Sequence, residues 1–456
     1  MELNNRENFG SKLGAVLAAA GSAVGLGNIW RFPIETGRNG GAAFILIYII
    51  CVLVFGLPIM LSEILIGRTT HANTAKAYRD LAPKTYWVWV GRLGVMTGLF
   101  IFSYYSVVAG WTIEYAFLAL TNAFAGTRDY TTMFSEFSSQ PVLPVVLLIV
   151  FMLLTHFVIV RGVQSGIEKY SKILMPVLFI IVAILVVCSV MMPNASEGLS
   201  FLLKPDFSKI DSGVVLNAMG QAFFSLSIGM GCICTYASYF SDETHLAKSA
   251  VNIASIDTII AIMAGFIIFP AAASAGYSLQ PGDIGPSLIF ITLPHVFQEA
   301  FGGVPFLSYI VSVMFYLLLI VAALTSTISM HEVVTAYFSE EFEMSRKKGA
   351  AIVTSVCVFF GIFCSLSFGL LNDFKILGMT IFDLFDFVSS NILLPVGGLF
   401  ISLFTGWYLN KRFVYDELTN HQTVSAPYFK PLVFVLRFVA PVAIILIFLN
   451  QLGVFG

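Results

Sequence analysis

Apolar residues in this chain come in long unbroken runs, with polar residues gathered between them. Runs long enough to cross ~30 Å of hydrocarbon cover 12–37, 41–67, 87–124, 142–160, 166–192, 213–240, 246–277, 303–339, 348–370, 375–409 and 428–454. Each predicts a membrane-spanning helix, because hydrocarbon offers backbone amides no water to bond. The interval 279–302 holds Pro281, Pro286 and Pro294 and predicts a long loop with short helices. Two runs are weakened from within. Ser22-Ala-Val-Gly-Leu-Gly-Asn28 and Ser227-Ile-Gly-Met-Gly231 place paired glycines beside polar residues at membrane depth. Unpaired backbone survives there only where it is buried in protein or lines a cavity. The pattern predicts a midplane binding site built from two broken helices.

The breaks also predict topology. One falls in the first run and the other in the sixth, so each unit has five runs, an odd number, and the second unit starts from the opposite side. An inverted five-plus-five repeat with broken helices 1 and 6 is the sequence mark of a transporter site. Glycine that merely lets helices pack closely is the competing explanation for one such break, and two in equivalent positions favour the repeat. The predicted organisation is a tail over 1–11, repeats over 12–192 and 213–409, and a last span over 428–454. Lysine and arginine set the orientation. With the N-terminus in the cytoplasm, eighteen of the 24 fall inside and six outside, which places the C-terminus outside the cytoplasm in an inner (cell) membrane.

Composition agrees with this reading. The 456 residues are 58% hydrophobic and 11% charged, with mean hydropathy +0.88, where soluble domains are about a quarter charged. The chain is an all-α polytopic membrane protein of eleven predicted transmembrane helices. Its start, Met1 to Gly10, is polar and reads as a tail, not a cleavable leader. Net charge is −2, and no basic cluster points to nucleic acid. All six cysteines lie within apolar runs and read as reduced packing residues. Oligomeric state is not encoded in any of these patterns.

Specific words within the runs carry a resemblance. Gly21-Ser-Ala-Val-Gly-Leu-Gly-Asn-Ile-Trp-Arg-Phe-Pro33 and Asn39-Gly-Gly-Ala-Ala-Phe44 resemble the first-helix signature of the neurotransmitter:sodium symporter family. Gln221-Ala-Phe-Phe-Ser-Leu-Ser-Ile-Gly-Met-Gly231 and Thr235-Tyr-Ala-Ser-Tyr239 resemble its sixth helix. Eleven spans suggest a prokaryotic member of the leucine-transporter fold. The resemblance implies two Na+ sites. The first would use the Ala23 carbonyl, Asn28, Ser225 and Asp257 with the substrate carboxylate. The second would use the carbonyls of Gly21, Val24 and Ala322 with the hydroxyls of Thr325 and Ser326. Taken alone, hydroxyls such as those of Thr325-Ser326-Thr327 usually bond back to their own helix.

For a small-molecule amino-acid substrate, the resemblance implies that the carboxylate meets the amides of Leu26 and Gly27 and the hydroxyl of Tyr105. The amino group would meet carbonyls around Ala23, Phe224 and Ser227, near Ser225 and Ser326. Ile101, Phe224, Met230 and Met330 would line the side-chain pocket, adaptable through its methionines. Gly25 bears on cargo, since relatives that carry biogenic amines have aspartate there. Arg31 and Asp386 would form an outer gate, and Arg6 and Glu340 an inner one with Phe9 and Tyr239 beside it. Gly166 and Pro176 in span five could unwind as a hinge, although a static proline kink fits equally. Asp257 replaces the asparagine of chloride-dependent relatives, which implies that no chloride is required and that a proton can be exchanged. The expected function is sodium-coupled symport of hydrophobic or aromatic L-amino acids across a lipid bilayer by alternating access. An enzyme is the rival class. His331-Glu-Val-Val-Thr335 begins a zinc-protease helix but lacks the second histidine, so no catalytic residues are expected.

Overall fold

The computed structural model describes residues 7–126, 129–276, 289–300, 304–451 and 454. Helices dominate, and the only ladder pairing among the described residues is an isolated bridge, Ile376 to Met379. We number the helices in chain order. The first half holds α1 (Lys12–Ala23), α2 (Gly27–Arg38), α3 (Ala42–Thr70), α4 (Thr74–Leu81), α5 (Val88–Leu120), α6 (Tyr130–Ser139), α7 (Leu143–Ile159) and α8 (Val163–Val190). Then come α9 (Ala195–Leu203), α10 (Ser212–Ser225), α11 (Cys232–Ala237), α12 (Leu246–Ser274) and α13 (Thr292–Ala300). The remainder is α14 (Pro305–Glu341), α15 (Arg346–Leu366), α16 (Ile381–Tyr408), α17 (Lys411–Leu418) and α18 (Phe429–Asn450).

Eight of these helices are long and apolar enough to cross a membrane, and two bent pairs raise the number to ten. One pair is α1 with α2, bent by 50°; the other is α6 with α7, bent by 75°. The predicted run 213–240 is present as α10 and α11, two short helices parted by Leu226–Gly231. Short amphipathic connectors α4, α6 and α9 were absent from the hydropathy pattern, which responds to length and apolarity alone. In the interval predicted as loop, α13 is helical and 277–288 lies outside the described residues.

The two longest helices, α5 and α14, lie against one another through the centre. Helix α1 packs on α8, α12 and α14, whereas α10 packs on the first half of α3. Both breaks are thus enclosed by continuous helices, which supply partners for the backbone that the breaks release. The second break shows how. Gly229 and Gly231 adopt φ of +91° and +75°, a region open to glycine at little cost. Glu63 on α3 then accepts from Gly229 N at 2.8 Å and from Cys234 N at 3.2 Å. One buried carboxylate satisfies an amide within the gap and another in the helix that follows it.

Candidate functional site

The first break ends α1 at Ala23 and turns through Val24, Gly25 and Leu26 before α2. Leu26 N donates to Tyr105 Oη at 3.0 Å, and Gly25 N donates to Asn28 Oδ1 at 2.9 Å. A side chain at Gly25 would run into Ser326 Oγ and the Tyr105 hydroxyl. Any larger residue there would require the Ser326 side chain to move. Ser227, on the second break, donates to Ser22 O at 3.2 Å, so the two breaks touch.

A cavity lies between them, lined by Ala23, Gly25, Gly27, Ile101, Tyr105, Phe224, Ser225, Ser227, Met230, Ser326 and Met330. Every predicted pocket residue is on this wall except Leu26, which contributes its amide from the turn. Ser22 and Ser329 also line it, and sequence reading passed over both because isolated serines in apolar helices are common. Its volume is about 30 Å³, room for a water or two. An amino acid enters only if Phe224 or the two methionines give way.

Two oxygen clusters flank the cavity. In one, Asn28 Nδ2 donates to Asp257 Oδ1 at 2.6 Å and to Ser225 Oγ at 3.1 Å. Ser225 Oγ donates to Asp257 Oδ2 at 2.8 Å, and Tyr48 Oη lies 3.3 Å from Ser225. Asp257 is fully buried, yet every described partner of its carboxylate is neutral and none forms an ion pair with it. An uncompensated buried charge is strongly unfavourable, so this donor set is suited to a hard cation. In the other, Thr325 Oγ1 lies 2.9 Å from Ala322 O and 3.2 Å from Val24 O, with Ser326 Oγ 3.3 Å from the same Val24 carbonyl. Gly21 faces the Thr325 side chain. This cluster is neutral and all oxygen.

Above the cavity a second space of about 330 Å³ is lined by Arg31, Tyr104, Phe224, Asp383, Asp386 and others. The Arg31 guanidinium sits over the Phe224 ring, 4.3 Å from its centroid. Arg31 and Asp386 share this space without forming an ion pair, and Asp386 accepts from Ser390 Oγ at 3.0 Å. On the opposite side the path is shut. Phe9 packs edge-on against Tyr236 and Tyr239, and Phe9 N bonds Tyr239 O at 3.0 Å. Tyr239 Oη donates to Glu332 Oε1 at 2.5 Å, and Glu332 forms a two-pronged ion pair with Arg346. Arg346 also donates to Ile159 O at 2.8 Å. Glu332 and Arg346 were missed as closure residues; an ionisable residue inside an apolar run was the available signal, and the truncated protease word drew attention elsewhere.

Arg6 lies outside the described residues, so its pairing with Glu340 does too. Glu340 Oε2 accepts from Asn73 N at 2.8 Å and Asn73 Nδ2 at 3.0 Å, which ties it to the start of α4. The hinge stretch is fully helical here: Gly166 sits in a π-helical turn over Val163–Glu168, and Pro176 lies within the continuous helix that follows. The protease word is accounted for structurally. His331 bonds Thr335 and Thr354, each at 2.8 Å, and no group of three potential metal-ligating side chains occurs among the described residues.

Comparison with known proteins matches this geometry. The profile of the sodium:neurotransmitter symporter family matches residues 6–139 and 135–455. A sodium-dependent transporter of Bacillus subtilis, YhdH, is 38% identical over 98% of both chains. The mouse sodium- and chloride-dependent GABA transporter 2 is 26% identical, covering 91% of this chain and 75% of its own. The crystal structure of MhsT in complex with L-phenylalanine superposes with a TM-score of 0.88 at 42% identity, over 98% of this chain and all of that one.

Proposed function

Because this chain belongs to the sodium:neurotransmitter symporter family, we propose that it carries an apolar or aromatic L-amino acid inward with two sodium ions, without chloride. It is a multi-pass membrane symporter driven by sodium, and not an enzyme. The finer reading rests first on Gly25. The carboxylate that would substitute for a missing substrate acid has no place here, since even a methyl group meets Ser326 and Tyr105. The substrate therefore brings its own carboxylate. That group would take over the Leu26 N–H, at the start of a half-helix whose dipole favours negative charge, and share the Tyr105 hydroxyl.

Ile101, Phe224, Met230 and Met330 would hold the side chain, the methionines adapting to its shape. The related MhsT structure carries L-phenylalanine, which supports an aromatic cargo. The Asp257 cluster would take the first sodium ion, with Asn28, Ser225 and the Ala23 carbonyl. The second would lie among Gly21, Val24, Ala322, Thr325 and Ser326. A fixed carboxylate at the first site supplies the negative charge that two entering cations need, so no anion accompanies them. Asp257 can accept a proton for the empty return, which couples outward proton movement to the cycle.

We assign Arg31 and Asp386 to outer closure, and Phe9, Tyr239, Glu332 and Arg346 to inner closure, with Glu340 beside them. In this arrangement eleven spans form the two inverted repeats over 12–192 and 213–409 and a final helix. The N-terminus is cytoplasmic and the C-terminus extracytoplasmic in the cell membrane. A binding competition tests the cargo assignment. Unlabelled L-phenylalanine should displace bound labelled L-phenylalanine in sodium, whereas phenethylamine at the same concentration should not. Equal displacement by the amine would contradict it.

A further inference from the structure

An apolar groove lies apart from the site. A groove of about 580 Å³ opens between the start of α5 and the second half of α16. Tyr86, Trp89, Leu93, Met96, Val396 and Phe400 wall it. Trp87 anchors its upper edge, with ring contacts to Phe400 at 6.4 Å and Tyr408 at 5.5 Å. Tyr86 and Trp89 are 88% and 57% exposed, and such amphipathic rings gather at the membrane interface. From Trp89 to Met96 the groove descends about 10 Å along the helix, which carries it from that interface into the acyl region.

The rim is cationic. The Arg92 guanidinium lies over the Trp89 ring at 4.8 Å from its centroid. Its Nε is buried with no hydrogen-bond partner among the described residues, and Arg92 forms no ion pair there. The adjoining stretch 76–92 carries Lys76, Arg79, Lys84 and Arg92 against the single acid Asp80. Arg79 is already held by Glu341 at 2.8 and 2.9 Å. The half-buried guanidinium has no ion-pair partner among the described residues, and its planar fork fits a phosphate in two-pronged fashion.

We propose that this groove binds one anionic phospholipid of the leaflet facing the start of α5. Its phosphate sits on Arg92, with Lys84 adding charge, and an acyl chain runs past Trp89 and Leu93 to Met96 and Phe400. The site is separate from the cargo cavity, and the proposal depends only on the chain spanning a membrane.

Tryptophan quenching by brominated lipid tests it. Trp407 is also exposed, with Arg437 beside it, so the parent for the test is Trp407→Phe. Reconstituted in vesicles of mixed phosphatidylglycerol and phosphatidylcholine, that protein should favour dibrominated phosphatidylglycerol over dibrominated phosphatidylcholine by about fivefold, the effect of one cationic side chain at an anionic surface. Arg92→Gln should bring the ratio to about one, Arg92→Lys should keep part of it, and Trp89→Phe should lower the quenchable signal to that of Trp87, which also lines the groove. Sodium-dependent cargo binding should persist in all of these variants, which shows that they fold. An unbiased parent, or a bias that survives Arg92→Gln, overturns the proposal. Absence of quenching by either lipid overturns it too, since another occupant such as a second copy of the chain then fills the groove.

Discussion

At Gly25 the backbone passes close to Ser326 and Tyr105, and the proposed cargo assignment rests on this contact. Gly25→Asp should weaken amino-acid binding at least about a hundredfold, since it adds both a clash and a buried like charge beside the substrate carboxylate. Equilibrium binding in sodium measures it. Asp257 makes the complementary case. Its carboxylate is enclosed by Asn28, Ser225 and Tyr48 without a cation, so Asp257→Asn should lose most sodium-driven uptake or become partly responsive to added chloride. Uptake assayed with chloride and with gluconate separates these results from wild-type behaviour. Gly25 was legible in the sequence because it sits within a family word, whereas Asp257 sits in none and came from the resemblance alone. Glu332 was not legible, because its meaning comes from Arg346, fourteen positions away, and from Tyr239 in the turn after α11. Spacing within one helix carries no trace of such partners.

Broken helices dominate the next scale. The glycine words located both breaks to within a residue or two, because glycine pairs beside polar groups inside hydrocarbon have few other uses. The partner of the second break was less visible: the bonds of Glu63 to Gly229 and Cys234 cross from α3 to the second break. The stretch around Gly166 in span five is held by contacts of the same kind. Glu168 accepts from Gly10 N at 2.6 Å and from Ser11 Oγ at 2.8 Å, and Lys172 pairs with it at 2.6 Å. Glu7 accepts from Val163 N at 2.6 Å. The start of span one is therefore fastened to the turn that holds Gly166. Each hydrogen bond to a charged group contributes about 1.5–3 kcal/mol, so Glu168→Ala should raise amide exchange over 7–16 and 163–170 by about tenfold or more. Unchanged exchange there would mean that the fastening carries no load. Pro176→Ala should slow inward release severalfold while outward-facing binding stays near wild type. Equal loss of binding and turnover would identify Pro176 as a packing kink.

Across the whole molecule, space and closure are unequally distributed. A chamber of about 330 Å³ stands above the cavity, while aromatic packing and the Tyr239–Glu332–Arg346 chain seal the other side. This asymmetry is what one end state of alternating access requires, and it could not be read from hydropathy, which carries span positions but not which end is shut. Loosening the seal should bias the molecule the other way. Glu332→Gln leaves Arg346 without its acid partner, so it should increase labelling of cysteines introduced along the inner path, even in sodium. Labelling equal to wild type would place the seal elsewhere.

The central claim is that a sodium gradient drives uptake of a carboxylate-bearing, apolar substrate without chloride. Purified protein in proteoliposomes, given labelled L-phenylalanine or L-tryptophan under an inward sodium gradient with gluconate as the only anion, tests it directly. The account predicts concentrative uptake that disappears when potassium replaces sodium, is unchanged when chloride returns, and rises when the interior is made acidic. Uptake that collapses in gluconate, or that proceeds equally well with the decarboxylated amine, would contradict it.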